Sequence, residues 1–294
     1  MQYFEIVGEM VSKKLAWKRS RPFIKRFAIG YSLLCVALYF QQQRVMFFPA
    51  KQLEHTPSLY QLKYQDVLIP ISKPGEQTEN LHGWWIPAEK LNAPVMIYFH
   101  HNAINIGANV SQALQFHKLG YSIFLFDYRG FGQSEGNFPT EPQLYEDAQA
   151  AWNYLTQARK IPPNRIVIYG HSVGGAIAID LAAKHPEAAA LIVQSSFTSM
   201  RDMTKRFGVY WFLPIELLLQ QRFESLEKMK SIKMPVLVIT GTEDIQIPVE
   251  MGERLYAAAP EFKQLITIPG GGHDNHLAEQ YKQRVKQFIE QATR

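Results

Sequence analysis

Past residue 60 the chain alternates between short runs rich in β-branched and aromatic residues and longer stretches with helical patterning. Turn residues bound these runs and predict strands near 60–71, 81–86, 95–99, 121–127, 165–170, 189–195, 235–240 and 263–268. Helices are predicted near 106–118, 140–159, 173–184, 249–258 and 275–292. Such alternation implies an α/β protein with a mostly parallel sheet and helices on both faces. About 250 residues after the amino-terminal segment suit one domain with a large buried core. No internal repeat or low-complexity tract breaks the pattern.

The amino-terminal pattern is different. Residues 1–26 hold Lys13, Lys14, Lys18, Arg19, Arg21, Lys25 and Arg26 against Glu5 and Glu9, which accounts for the whole net charge of +5. From residue 27 onward 24 basic residues balance 24 acidic ones, so a basic nucleic-acid face on the remaining chain is unsupported. Phe27 to Phe40 carries no charge, and the uncharged stretch extends through Gln43. The expected organisation is a basic tail over 1–26, a membrane anchor over 27–43 and a catalytic domain over 44–294. The apolar run is short for a span, so a cleaved signal, a lipoprotein signal and a packed or amphipathic helix are the alternatives. Leu34 before Cys35 fits a lipoprotein cleavage site poorly, and a single cysteine allows no intramolecular disulfide. Positive charge stays cytoplasmic, which places the remaining chain across the membrane, in the periplasm of a Gram-negative source.

Candidate chemistry begins at Ile168-Tyr169-Gly170-His171-Ser172-Val173-Gly174-Gly175, where a strand pattern ends in GxSxG and opens into an alanine-rich helix. The spacing predicts a nucleophile elbow, with glycines where a side chain would collide with the adjoining strand and helix. A glycine-punctuated turn with an idle serine is the bland alternative. A serine hydroxyl needs a base, and that base needs an acid to orient it. In this arrangement the acid and then the histidine follow the serine in chain order. His273 and His276 alone lie beyond the last plausible acid loop, and His273 is preferred because it ends the flexible loop Pro269-Gly270-Gly271-Gly272. The strand over 235–240 runs into Gly241-Thr242-Glu243-Asp244, whose Asp244 is the candidate carboxylate, with Glu243 its rival. Oxyanion donors are expected from the Val173 amide and from the loop after 95–99, at Asn102 or Ala103. His100 and His101 are adjacent and diverge, and no second cluster supplies further ligands, so no metal and no cofactor are expected.

These segments together resemble the α/β-hydrolase superfamily, and within it the small membrane-anchored bud-emergence branch. The resemblance runs from Phe47-Phe48-Pro49 through Gly83-Trp84-Trp85-Ile86-Pro87, Phe99-His100-His101-Asn102-Ala103, Asp127 to Gly136, the elbow, Ser196-Phe197-Thr198-Ser199 and Gly241 to Asp244, ending at Gly272-His273. It implies the α/β-hydrolase fold and gives the acid role to Asp244 rather than Glu243. It departs at His101, where the family usually has glycine, and a side chain there bears on the Asn102 oxyanion donor.

Asp127 precedes Ser172, against the expected order, so Asp127 to Gly136 reads as a loop-shaping segment. No P-loop or GxGxxG sequence occurs. A short cap is expected over 197–233, where Val209 to Ile215 and Leu217 to Leu219 would line an acyl pocket, face a bilayer or pack on the sheet. The expectation is a serine esterase or thioesterase acting on apolar acyl groups, lipids among them. An amidase or peptidase using the same residues and a catalytically silent membrane-tethered binding protein are the alternatives.

Overall fold

Side chains on successive residues of the central strands sort into two cores, one on each face of a single sheet, which is why those strands are apolar throughout. The computed structural model describes residues 2–72, 75, 78–206, 208, 211–274 and 278–293; Val209 and Tyr210 of the cap and the alternative imidazole His276 lie outside the described residues. In chain order the elements are α1 (Gln2–Met46), β1 (Phe48–Pro49), β2 (Gln65–Ile71), β3 (Glu79–Ile86), β4 (Val95–Phe99), β5 (Ala103–Ile104), α2 (Ile106–Lys118) and β6 (Ser122–Phe126). There follow α3 (Glu141–Asn153), β7 (Ile166–His171), α4 (Val173–Lys184), β8 (Ala190–Gln194), α5 (Met200–Arg206), α6 (Ile215–Leu218) and α7 (Ser225–Met229). The chain closes with β9 (Val236–Gly241), α8 (Val249–Ala258), β10 (Lys263–Ile268) and α9 (Glu279–Ala292).

Eight strands form the sheet in the order β10-β9-β8-β7-β4-β6-β3-β2. Only β3 runs antiparallel to its neighbours, as the partner of both β2 and β6. Val95, Ile97 and Phe99 of β4 face α3, α4 and α8, through residues such as Leu144, Ile177 and Leu255. Met96 and Tyr98 face α2 and α9, through Val110, Phe116 and Phe288. All six residues of β7 are buried, whereas the edge strand β2 alternates between exposed and buried positions.

The differences from the predicted boundaries have local causes. The first strand begins at Gln65 rather than near 60, because Pro57–Tyr60 form a 3-10 turn capped by Gln61 at φ 59°. The helix expected over 140–159 is α-helical to Asn153 and closes with a π turn over Tyr154–Ala158. β1 and β5 pair in parallel, Phe48 with Ala103 and Pro49 with Ile104, and tie the chain after α1 to the loop after β4.

The expected apolar segment lies inside a much longer helix. Within α1, Ser20–Met46 is long and apolar enough to cross a membrane. Gln41 leaves helical geometry at φ −113°, ψ 15°, and the turn beyond it packs against the cap. The cap segment contributes α5, α6 and α7, and α6 packs on α1 and α5 rather than lying against the sheet.

Candidate active site

β4, β7, β9 and β10 run parallel in one sheet, with β8 between β7 and β9, so the loops leaving their carboxyl ends gather on one rim. Ser172 sits between β7 and α4 at φ 57°, ψ −122°, a conformation that an L residue holds only when its surroundings impose it. Those surroundings are visible. A Cβ at Gly170 would lie 2.2 Å from the Gly174 carbonyl oxygen, and one at Gly174 would lie 2.2 Å from that of Phe99. Ser172 N donates to Gln194 O at 2.9 Å, and Ser196 Oγ donates to Ser172 O at 2.7 Å. The elbow is therefore braced from β4 on one side and β8 on the other.

The acid and the imidazole are joined. His273 Nδ1 lies 2.8 Å from Asp244 Oδ2, while Asp244 Oδ1 accepts from the amides of Gln246 at 2.9 Å and Ile247 at 2.8 Å. Burial alone would raise the Asp244 pKa, but the His273 bond and those two amides outweigh it and hold the carboxyl below its ordinary value. An ionised carboxylate facing Nδ1 fixes the proton there and leaves Nε2 as an acceptor. Glu243 is exposed and offers only its backbone amide, to Gly271 O at 2.8 Å. Among the described residues, the Ser172 hydroxyl makes no hydrogen bond with His273; the elbow and the His273 loop are joined through the neighbouring residue.

That neighbour is His171, to which sequence reasoning gave no role. Its Nε2 donates to the His273 carbonyl at 3.0 Å, and the two rings lie 5.0 Å apart. Burial, then the nearby His273 and His101, push its pKa down to about 3, so it is a neutral donor that holds the His273 loop against the elbow. The only available signal was its place as the last residue of β7, directly before the serine. His171, His273 and Asp274 also present ligand atoms within 4.8 Å of one another. His171 Nε2 carries the hydrogen given to the His273 carbonyl, and His273 Nδ1 is engaged by Asp244, so two of these residues are already committed.

On the facing loop, Ala103 N donates to His101 Nδ1 at 3.2 Å, which takes that amide away from the oxyanion position. Asn102 is held by its other groups: its carbonyl accepts from Phe48 N at 2.9 Å, and its Nδ2 donates to Met46 O at 2.6 Å. Asn102, Ser172 and Val173 all line a cavity of about 680 Å³. Its other walls are mostly apolar, from Phe197, Met203, Ile215 and Ile247, and from Leu38 and Val45 of α1, with Gln42, Thr204 and Gln246 among them. The α1 contribution was not legible in the sequence, because it pairs residues some 180 positions apart. The Asp127 segment is structural: Arg129 binds Asp147 at 2.6 Å, and a Cβ at Gly132 would strike the Asp127 carboxyl at 2.0 Å.

The strand order, the crossover helices and the strained serine turn define an α/β hydrolase. The chain belongs to the α/β-hydrolase superfamily. The family model described as serine aminopeptidase, S33 (Hydrolase_4) matches residues 93–223. The chain is 33% identical over 258 residues to the uncharacterized Mycobacterium tuberculosis protein Rv2307c, covering 87% of this chain and 89% of that protein. It is 29% identical over 274 residues to the α/β hydrolase domain-containing protein WAV2 of Arabidopsis thaliana, covering 85% and 87%. Among solved structures it is similar to the Pyrococcus furiosus esterase Pf2001, with a TM-score of 0.69 and 24% identity over 85% of this chain and 98% of that one. A Mycobacterium tuberculosis puromycin-hydrolyzing peptidase shares the fold at a TM-score of 0.62 and 17% identity, over 80% of this chain and 40% of that one.

Proposed function

We propose that the protein is a membrane-anchored serine hydrolase that cleaves carboxylic esters or thioesters of apolar acyl groups through an acyl-serine intermediate. The observation that carries this is the Asp244-His273 bond on the same rim of the sheet as a strained, buried serine that lines an apolar cavity. His273 Nε2 takes the Ser172 proton as Oγ attacks the acyl carbon, and the carbonyl electrons move onto oxygen. The Asn102 and Val173 amides donate to that oxyanion. Collapse breaks the bond to the leaving oxygen or sulfur, which takes the proton from Nε2. Water then gives a proton to Nε2 and attacks the acyl-serine, and the acid leaves as Ser172 recovers its proton. The residues supply every proton transfer, and the scheme calls on no cofactor.

The apolar cavity sets substrate preference, since each methylene removed from water contributes about 0.8 kcal/mol. The catalytic domain over 44–294, with its cap over 197–233, lies across the membrane from the basic tail, and residues 27–43 of α1 are the anchor. The orientation is supported by seven basic residues before residue 27. A fluorophosphonate probe tests the chemistry: native protein is expected to form a covalent adduct that Ser172→Ala abolishes. Equal labelling of both, or none of the native chain, would reject the reading and leave a binding protein. Amide cleavage is the second reading, favoured by the aminopeptidase description of the matching family model. Matched ester and anilide substrates decide between them, with the ester expected to react faster.

A further inference from the structure

Val45, Phe48 and Ile245 line the cavity yet are 60%, 58% and 83% exposed, so they mark where it opens. Elsewhere the cap presents Trp211 and Leu217, 84% and 79% exposed, together with Phe212, adjacent in the chain to the lining residues Leu213 and Leu218. This patch is fastened to α1. Tyr31 OH donates to Phe212 O at 2.8 Å, and Gln42 donates to Leu218 O at 2.6 Å while accepting from Gln220 N at 3.0 Å. The docked stretch of α1 thus runs from Tyr31 to Met46, about 22 Å of helix. The uncharged stretch from Phe27, just past Lys25 and Arg26, to Gln43, just before Arg44, is about 25 Å of helix, the short end of what spans a bilayer. The contacts of Tyr31 and Gln42 with the cap lie inside the part that would occupy lipid. Whatever the tilt of α1, cap residues beside Tyr31 share its depth.

We propose that the cap patch of Trp211, Phe212 and Leu217, outside the cavity wall that Leu213 and Leu218 form, is immersed in the bilayer beside α1, so that the cavity opens into lipid and takes the acyl chain of a membrane-resident ester directly from the bilayer. The proposal rests on the serine-hydrolase and anchor readings above. Polar groups along the seam satisfy one another, as hydrocarbon requires, with Tyr31 and both ends of the Gln42 amide occupied. The charge next to Leu217 is paired as well, Arg201 Nε to Glu216 Oε1 at 2.6 Å. In water, the exposed Trp211 and Leu217 would form an adhesive patch. In lipid they are solvated.

The full chain, reconstituted in phosphatidylcholine vesicles with or without brominated acyl chains, provides the test. Trp84, Trp85 and Trp152 are buried and Trp17 is exposed on α1, and because all four are common to both proteins the emission difference between native protein and Trp211→Phe isolates Trp211. That difference is expected to be quenched in brominated vesicles; an unquenched Trp211 overturns immersion. The second arm uses a fluorogenic oleoyl ester dissolved in the vesicles and the butyryl ester of the same fluorophore in water. The double variant Trp211→Glu, Leu217→Glu is expected to lose about tenfold or more on the oleoyl ester, with turnover of the butyryl ester unchanged. Quenching without that selective loss overturns entry from the bilayer. Absence of native activity and of fluorophosphonate labelling would instead sink the hydrolase reading, and the quenching arm would still decide the depth of the cap.

Discussion

Asp244→Asn isolates the acid, because the structure dictates how the new amide must sit. Asp244 Oδ1 accepts from two backbone amides at 2.9 and 2.8 Å, and Oδ2 faces His273 Nδ1 at 2.8 Å. An asparagine NH₂ cannot accept, so its carbonyl oxygen must take the Oδ1 place and its NH₂ must point at Nδ1. The reverse orientation loses two hydrogen bonds at about 0.5–1.5 kcal/mol each and sets donors against donors. Nδ1 is then forced to accept, the ring proton moves to Nε2, and the lone pair that receives the Ser172 proton is gone. In Ser-His-Asp enzymes this exchange lowers kcat about 10⁴-fold, equivalent to about 5.5 kcal/mol at 1.36 kcal/mol per tenfold. Asp244 does not line the cavity, so KM for a soluble ester should be unchanged. The carboxyl sits below its ordinary value and is therefore ionised throughout the assay range, so the deficit should be the same from about pH 6 to 9. Steady-state kinetics across that range decide the matter. An Asp244→Asn enzyme within tenfold of native kcat would refute the proposed proton path.

Three further outcomes are expected. Gly174→Ala puts a Cβ 2.2 Å from Phe99 O and 2.6 Å from His100 O, so thermal unfolding should show a loss of about 1–3 kcal/mol, and displacement of the facing loop should cut kcat by about 10²-fold; native stability with native kcat would contradict this. Asn102→Ala keeps the oxyanion amide but drops the side-chain bond to Met46 O, and should lower kcat up to about tenfold with little change in KM; a KM effect alone would argue against the Asn102 assignment. His171 has a folded pKa of about 3 against about 6.5 unfolded, so the unfolded chain binds the extra proton and stability falls as pH drops from 6.5 towards 3, by about 1.4 kcal/mol per unit. Urea titrations of native protein and His171→Phe should therefore diverge in slope over that window and run parallel above it; parallel slopes throughout would show that His171 is not held neutral.

How far the sequence reaches can be seen residue by residue. The central strands carry apolar runs, and α2, α3, α8 and α9 their own periodicity, so the sheet and its crossovers were legible. Ser172 and His273 were singled out because residue type, chain order and position after a strand agree, whereas Asp244 was taken over its neighbour Glu243 on the family resemblance. What escaped depends on contacts that local patterns do not encode. β1 and β5 have two residues each, too few to alternate. α6 and α7 have four and five residues, too few to show a period. The direction of the His101 ring decides whether the Ala103 amide is free, and a turn pattern does not fix that direction. The apolar run after the basic tail was visible, but not that its last turns wall the cavity, because their partners lie in the cap.

α1 and the loop after β4 are one mechanical unit. The last residue of α1, Met46, accepts from the Asn102 side chain, and Phe48, two residues on, donates to the Asn102 carbonyl. Ala50 N continues the tie to Ile104 O at 2.8 Å. Asn102, the proposed oxyanion donor, is therefore held through its backbone and its side chain by the chain emerging from the helix. A hydrolase merely tethered to a membrane needs a linker that transmits nothing. Here no linker intervenes, and displacement of a reacting group by about 1 Å can cost about 10²-fold in rate. On the proposed mechanism the position of α1 against the cap bears on the catalytic step as well as on location, because the helix that meets the cap through Tyr31 and Gln42 also holds Asn102 through Met46.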